Sequence, residues 1–333
     1  ELPPRCVQYC RPSRPGTYIV GPGELRRWEI KLLPGESPED FRDDGSVDKV
    51  LSTFIDTNAV ELWRIAIYRF HALVIDQWRD RRVFLMGDAA HQMPPFLGQG
   101  LCAGIRDALN LAWKLDAVHR NGFDDSLLDT YGEERKPHVR TIVAHAKSFG
   151  LIIGELDPDA ARLRDHRLED DLASGRAETV RQKFIPGLNC GLIDKDELGN
   201  PGEGAGVLFV QPWVRIGSGA AVRLDDVVPN GFLIAAASAE VSRWLDTDTS
   251  ALWLQLDGRL VVISTAPPTD GSCIGVTEQA NVFADWLQAL GAHAALIRPD
   301  HYVFGLARTA TELRGLVIRL GQALHCHTRV TAS

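Results

Sequence analysis

Arg82–Leu115 reads RVFLMGDAAHQMPPFLGQGLCAGIRDALNLAWKL, and this window decides how the rest of the chain is read. It opens with a short apolar run, Arg82–Met86, that stops abruptly at Gly87-Asp88. Such a run predicts a buried strand that delivers the Asp88 carboxylate to its C-terminal edge, where ligands lie in open α/β sheets. Ala89 and Ala90 leave space beside that carboxylate, and Pro94-Pro95 stiffens the backbone beyond it. Gly98-Gln99-Gly100 then opens directly into a helical pattern over Leu101–His119. Its apolar residues recur at Leu101, Ile105, Ala108, Leu109, Ala112 and Leu115, with Asp107, Asn110 and Lys114 on another face.

The chemistry of this window points to a particular kind of ligand. Glycines let a flat molecule approach the chain closely. The free amides of the helix start, reinforced by the helix dipole, favour a negative or electron-rich edge. The ligand implied is polyhydroxylated beside Asp88 and planar, with an acceptor edge at Gly100–Cys102. A flavin with its ribityl chain has that form. Gly98-x-Gly100-x-x-Ala103 also fits the spacing G-x-G-x-x-G/A, but it follows a Pro pair rather than a strand and no acidic strand end comes after it. That match is set aside.

Outward from the window, Thr17–Val20, Leu25–Leu33 and Glu61–Phe70 (ELWRIAIYRF) predict strands rich in aromatic and β-branched residues. Pro38–Phe54 has helical spacing, with Val47, Val50, Leu51 and Phe54 on one side. Ser126–Phe149 predicts a helix kinked at Pro137, and Asp157–Phe184 a charge-rich solvated one. Ile185–Gly206 is too dense in Pro, Gly and Asn for a regular element and predicts a domain boundary. Beyond it, strands are expected at Gly231–Ala237, Arg259–Ser264, Ala294–Ile297 and Tyr302–Leu306, and helices at Ala239–Trp244, Ala280–Leu290 and Thr311–Leu324. Alternation of this kind predicts an α/β domain on a mixed sheet. Trp213, Trp244, Trp253 and Trp286 read as its core residues.

Composition removes other classes. The 333 residues are 45% apolar and carry 36 Lys+Arg against 44 Asp+Glu, a net charge of −8. With no basic block, nucleic acid is not an expected partner. No apolar run approaches the roughly 20 residues of a membrane span, so no membrane association is expected. Cys6, Cys10, Cys102, Cys190, Cys273 and Cys326 are scattered without a CxxC pair, which predicts reduced thiols and a cytoplasmic location. His325-Cys326-His327 lacks a second ligand pair at finger spacing, and no metal is expected.

The pattern GDAAH…PP…GQG…G-x-x-D-A-x-N-L-A-W-K-L resembles the second flavin-contact motif of the class A flavoprotein aromatic hydroxylases. RRWEIKLLPGE (26–36) is similar to part of their substrate-domain sheet, and LLDTYGEERKPHVR (127–140) to the helix that follows. RPDHYVFG (298–305) resembles the thioredoxin-like tail of the phenol hydroxylase branch, here without a cysteine pair. The resemblance implies a mixed α/β chain: the C-terminal part of a FAD-binding and substrate-sheet monooxygenase fold, then a thioredoxin-like α/β domain. Residues 1–81 would belong to the substrate-binding sheet, 82–185 to the FAD-binding domain, 186–206 to a linker and 207–333 to the thioredoxin-like domain. It implies FAD as cofactor, NADH or NADPH and O2 as co-substrates, and hydroxylation of a phenolic compound of the 3-(3-hydroxyphenyl)propionate kind in aromatic catabolism. A homodimer is allowed.

Carried over by position, the resemblance implies cofactor contacts at Gly87, Asp88, Pro95, Gly98, Gln99, Gly100, Leu101 and Cys102. Asp88 would hydrogen-bond the ribityl hydroxyls, Pro95 would pass close to the ring, and the amides of Gly100, Leu101 and Cys102 would face N1 and the C2 carbonyl. No catalytic side chain is assigned. Gln92, Met93 and Phe96 are candidate substrate neighbours, as is one of Tyr68, Arg69 and His71, whereas His91 reads as structural. The family's N-terminal GxGxxG segment has no counterpart before Thr17, so the chain reads as the C-terminal portion of a longer polypeptide. That gap also leaves a second reading open, a non-catalytic binding or assembly module of the same architecture.

Overall fold

The computed structural model describes residues 2–176, 185–264 and 273–324. The first part of the chain runs β1 (Val7–Tyr9), β2 (Gly16–Val20), β3 (Arg26–Ile30), α1 (Asp44–Leu51), β4 (Arg79–Asp80), β5 (Val83–Phe84), α2 (Gly100–Asn121), α3 (Asp129–Ile153) and α4 (Pro158–Ala173). The chain divides into two compact units, one of Glu1–Leu73, Gln92–Gln99 and Ile142–Phe184, the other of Val74–His91, Gly100–Thr141 and Ile185–Ser333.

In the first unit, β1, β2 and β3 form an antiparallel meander, with Tyr18 opposite both Val7 and Trp28. Tyr18 is fully buried, its ring 5.2 Å from that of Trp28. Asp43 caps α1 by accepting the Ser46 N–H at 2.8 Å, and Leu51 closes the helix on the buried side. In α4, Asp157 takes the N–H groups of Asp159 and Ala160, and Pro158 fills the first position, where its missing N–H costs nothing. Only Ala161 of α4 is buried, as its charge alternation implied; the rest of that expected segment, 177–184, lies outside the described residues, as does His325-Cys326-His327.

One expected strand is absent. Glu61–Phe70 carries no strand pairing and is exposed throughout, Trp63 at 81%. Its alternation states which residues would share a face, but a strand exists only through a ladder, and no described residue pairs with it there.

In the second unit the Arg82–Met86 run also differs from its reading as a buried strand. Only Val83–Phe84 is paired, antiparallel to β4 in a tight hairpin, and Val83 is 62% exposed. An apolar run records a preference for burial without supplying the layers that cover it. α3 passes through Pro137. Proline cannot donate to the carbonyl four residues back, and that carbonyl, of Glu133, takes the Cys190 thiol instead at 3.0 Å.

The remainder continues β6 (Trp213–Arg215), β7 (Val222–Arg223), β8 (Leu233–Ala236), α5 (Thr247–Gln255), β9 (Arg259–Ser264), β10 (Ile274–Glu278), α6 (Val282–Ala289), β11 (Ala294–Ile297), β12 (Val303–Ala307) and α7 (Ala310–Ala323). The sheet order is β12-β11-β8-β9-β10-β6-β7. β8, β9 and β10 are parallel, while β11 is antiparallel to β8 and β12 to β11. Strand alternation assigns the two faces: Leu233, Ala235, Ala295 and Ile297 pack with Phe283 and Leu287 of α6. Ile234, Ala236, Ala294 and Leu296 pack with α5, α7 and, from α2, Trp113 and Ala117. A sheet covered on both faces reads as continuous apolar runs, which is why these strands were visible in the sequence. Ala239–Arg243 is a 3-10 turn rather than an α-helix, and Trp213 is 45% exposed, with the Arg223 guanidinium 4.2 Å from its ring centre.

Candidate flavin site

The site grows from a tight turn and a helix start in the second unit. Gly87–Ala89 is a single 3-10 turn in which Gly87 takes a left-handed φ of 55°, a conformation open to glycine at little cost. The turn leaves Asp88 exposed. Beside it lies Gly104, one turn into α2: a β-carbon built there would meet the Gly87 Cα at 3.5 Å. Two glycines thus let the turn's backbone rest on the helix. Gly100 begins α2, and Leu101 and Cys102 are both exposed, Leu101 at 78%. The first-turn amides have no intrahelical acceptors.

Asp107, one turn beyond Gly104 on α2, bonds to this turn. Its carboxylate is wholly buried and accepts three hydrogen bonds. Oδ2 takes the Gly87 N–H at 3.1 Å and His91 Nε2–H at 2.7 Å, and Oδ1 takes Arg135 Nε–H at 2.8 Å. Burial alone would raise its pKa; the His91 hydrogen bond and the Arg135 charge outweigh burial and hold it below the usual range. His91 is buried and stacks on Trp78, ring centres 5.6 Å apart. Tyr131 donates its hydroxyl to the Leu85 carbonyl just before the turn, at 2.9 Å.

Farther along α2 the face expected to be polar is the buried one. Asp107, Asn110 and Lys114 are fully buried while Leu101 and Ile105 are exposed, the reverse of the apolar repeat's implication. The reason is pairing. Lys114 Nζ donates to Glu134 Oε2 at 2.7 Å, and Asn110 Nδ2 to Glu134 and Asp300 at 2.8 and 2.7 Å. Arg298 binds Glu134 through both Nη atoms and Asp300 through Nε and Nη2. Two cations thus face two anions in the protein interior, the condition under which buried charge is tolerated. Burial lowers the Lys114 pKa to about 8, Glu134 opposing and Arg298 adding to that shift. Burial would raise the Glu134 pKa, but Arg298 and Lys114 hold it well below the carboxylate range.

Gly87, Asp88, Gly100, Leu101 and Cys102 therefore lie on one turn and the helix that supports it. Pro95, Gly98 and Gln99 belong to the first unit. There Pro95–Leu97 forms a 3-10 turn closed by Gly98 at φ 62°, whose N–H donates to the Pro95 carbonyl at 2.8 Å. Gln99 Oε1 is buried with no hydrogen-bond partner among the described residues. Gln92 and Met93 are half-buried. Phe96 meets Phe70 edge-on at 5.6 Å, and Tyr68 meets Phe70 at 5.5 Å. Sequence reasoning missed Asp107, Arg135, Glu134, Arg298 and Asp300. The signal for Asp107 was its place with Asn110 and Lys114 at i, i+3 and i+7 of one helix.

The exposed Asp88 acceptor and the open amides of α2 fit the ribityl chain and ring edge of a flavin. Residues 8–146 match the FAD binding domain family, and residues 206–320 match the HcaD C-terminal domain family. The chain is 37% identical over 323 residues to the probable NADH-specific resorcinol 4-hydroxylase of Rhodococcus jostii (strain RHA1), covering 96% of this chain and 58% of that protein. It is 31% identical over 310 residues to a 3-(3-hydroxy-phenyl)propionate/3-hydroxycinnamic acid hydroxylase of Burkholderia cenocepacia (strain HI2424), covering 88% and 56% respectively. In fold it is similar to the flavin-dependent monooxygenase PieE, crystallised with FAD and substrate, with a TM-score of 0.72 at 20% identity over 95% of this chain and 60% of that one. The chain thus spans less than two thirds of these proteins' lengths. It is similar in sequence to these hydroxylases and in fold to this flavin-dependent monooxygenase. Both relatives named by sequence carry hydroxylase names.

Proposed function

We propose that this chain supplies the Asp88 turn and the α2 helix start of an enzyme that hydroxylates a phenolic compound with FAD, NADH or NADPH, and O2. The carrying observation is the turn Gly87–Ala89, docked on α2 and held there by the buried Asp107. FAD, when bound, would supply the redox chemistry that links the nicotinamide, O2 and the phenol. Asp88 would hold the ribityl chain by accepting hydrogen bonds from its hydroxyls. The amides of Gly100, Leu101 and Cys102 would hold the electron-rich edge of the ring, since a helix N-terminus favours negative charge. Pro95, Gly98 and Gln99 enter the proposal on the sequence resemblance alone.

The substrate class follows the names of the relatives, a hydroxylated benzene ring with or without a carboxylate side chain. Residues from 207 onward are read as a thioredoxin-like domain. The order β9-β8-β11-β12, one parallel pair followed by two antiparallel pairs and then α7, supports that reading. No helix among the described residues is long and apolar enough to cross a membrane, and dependence on a nicotinamide coenzyme favours the cytoplasm.

The test is made on a polypeptide that carries this chain together with an ADP-binding segment. NADH or NADPH oxidation is followed with resorcinol and with 3-(3-hydroxyphenyl)propionate, and products are identified by mass. Oxidation accelerated by a phenol, with a product one oxygen heavier, is expected. A protein that retains no flavin, or an oxidation rate indifferent to every phenol, contradicts the proposal.

A further inference from the structure

Asp107 contacts no ligand in the proposed function, yet its buried carboxylate accepts three hydrogen bonds, one of them from the turn that carries Asp88. Arg135 by itself would be enough to neutralise Asp107, and its Nε already does so at 2.8 Å. Yet the other oxygen is given to a backbone amide, that of Gly87, at 3.1 Å, and shared with His91. A buried carboxylate is costly to desolvate, and spending half of its bonding capacity on a glycine amide has a geometric consequence. The amide belongs to the residue just before Asp88, in a single turn whose own backbone bonds are Ala89 N–H to the Met86 carbonyl at 3.3 Å and Ala90 N–H to the Gly87 carbonyl at 2.9 Å. Gly104 and Asp107 lie three apart on α2, so van der Waals contact and hydrogen bond grip the turn from one helix face.

The parts that hold Asp107 are themselves fixed. Arg135 is fully buried, and its Nη2 lies 3.4 Å from the Ala103 carbonyl. His91 is clamped against Trp78, whose indole N–H donates to the Ile75 carbonyl at 3.0 Å. Ile75 N–H donates in turn to the Ala90 carbonyl at 3.0 Å, fixing the exit of the turn. A rigid chain of contacts therefore runs from α3 through Asp107 to the backbone on both sides of Asp88.

We propose that Asp107 is a positioning residue: it fixes the Gly87–Ala89 turn before any ligand arrives and so sets the direction of the Asp88 carboxylate. The part concerning the cofactor rests on the flavin reading of Asp88; the part concerning the turn does not. Asp107 itself touches no substrate or cofactor in this account.

The test separates the two parts. In the ligand-free chain, amide hydrogen exchange is measured on the peptide spanning 85–92 for the native sequence, D107N and D88A. Asp107→Asn should speed exchange at Gly87–Ala90 at least tenfold, while Asp88→Ala leaves it at the native rate. Because D107N leaves Arg135 buried without its anion, the double variant D107N/R135Q, which removes both charges together, is the second probe and should show the same loosening. With the ADP-binding segment present, FAD titration should give both D107N and D88A a dissociation constant raised about tenfold. Native exchange rates in D107N and in the double variant would overturn the proposal, as would a loosened turn with native FAD affinity in D107N while D88A weakens. FAD affinity unchanged in D88A would instead overturn the flavin reading of Asp88, and the exchange data would still decide whether Asp107 holds the turn.

Discussion

Arg298 grips Glu134 with both guanidinium nitrogens, Nη1 to Oε1 at 2.9 Å and Nη2 to Oε2 at 2.7 Å, across 164 positions of sequence. Both side chains are wholly buried. Fork-to-fork pairing of this kind is directional as well as strong. It ties the start of α3 to the segment between β11 and β12, and Glu134 also receives Lys114 from α2.

Breaking that pair should be costly. Arg298→Met or Glu134→Gln each removes one charge from a buried cluster and leaves its partner uncompensated, at about 3–5 kcal/mol. The double variant should cost clearly less than the sum, because Lys114 and Asp300 then still balance. Urea unfolding of the three variants measures this. Strictly additive losses would mean the residues do not share one network.

His138 makes stability pH-dependent. Burial first, and then the positive charges of Arg135 and Arg106, lower its pKa to about 3 from 6.5. Between those values the unfolded chain binds a proton that the folded chain refuses, so this contribution is lost as pH falls. The slope from one such group is at most about 1.4 kcal/mol per pH unit. His138→Gln should flatten the stability profile between pH 6.5 and 4.5. An unchanged slope would show that the folded chain accepts the proton.

The sequence made parts of this molecule plain and hid others for definite reasons. β8, β11 and β12 were legible because a sheet covered on both faces leaves unbroken apolar runs such as Leu233–Ala236. α2 was legible in extent but not in orientation. Hydrophobic periodicity assumes that charges face water, and Asp107, Asn110 and Lys114 break that assumption because their partners lie elsewhere in sequence: His91 and Arg135 for Asp107, Glu134 and Asp300 for Asn110, and Glu134 for Lys114. Glu61–Phe70 had the alternation of a strand, yet alternation cannot name the neighbour that would make it one. The candidate site was legible as a motif, from Asp88 to Cys102. Its support was not, since nothing in one sequence links Gly87 to Asp107 before α2 folds back beneath the turn.

The helix start offers an electrostatic test. Cys102→Asp places a carboxylate in the first turn of α2, exposed and away from the glycines. A charge at a helix terminus is worth ~0.3–1 kcal/mol, and a two-electron couple moves about 30 mV per 1.4 kcal/mol. If this turn faces the flavin ring, the variant should lower the reduction potential of bound FAD by about 6–20 mV. A potential that rises, or stays fixed while FAD still binds, would show that the helix points elsewhere.

The most direct measurement is the affinity for FAD of a polypeptide carrying this chain and an ADP-binding segment, compared between native and Asp88→Ala by calorimetric titration. Asp88 is exposed at the turn, so its loss should leave the thermal unfolding midpoint in place. The account predicts binding weakened by about 1–3 kcal/mol, the usual range for hydrogen bonds to a charged acceptor. Native affinity in a folded Asp88→Ala protein would contradict the assignment of this turn to the flavin.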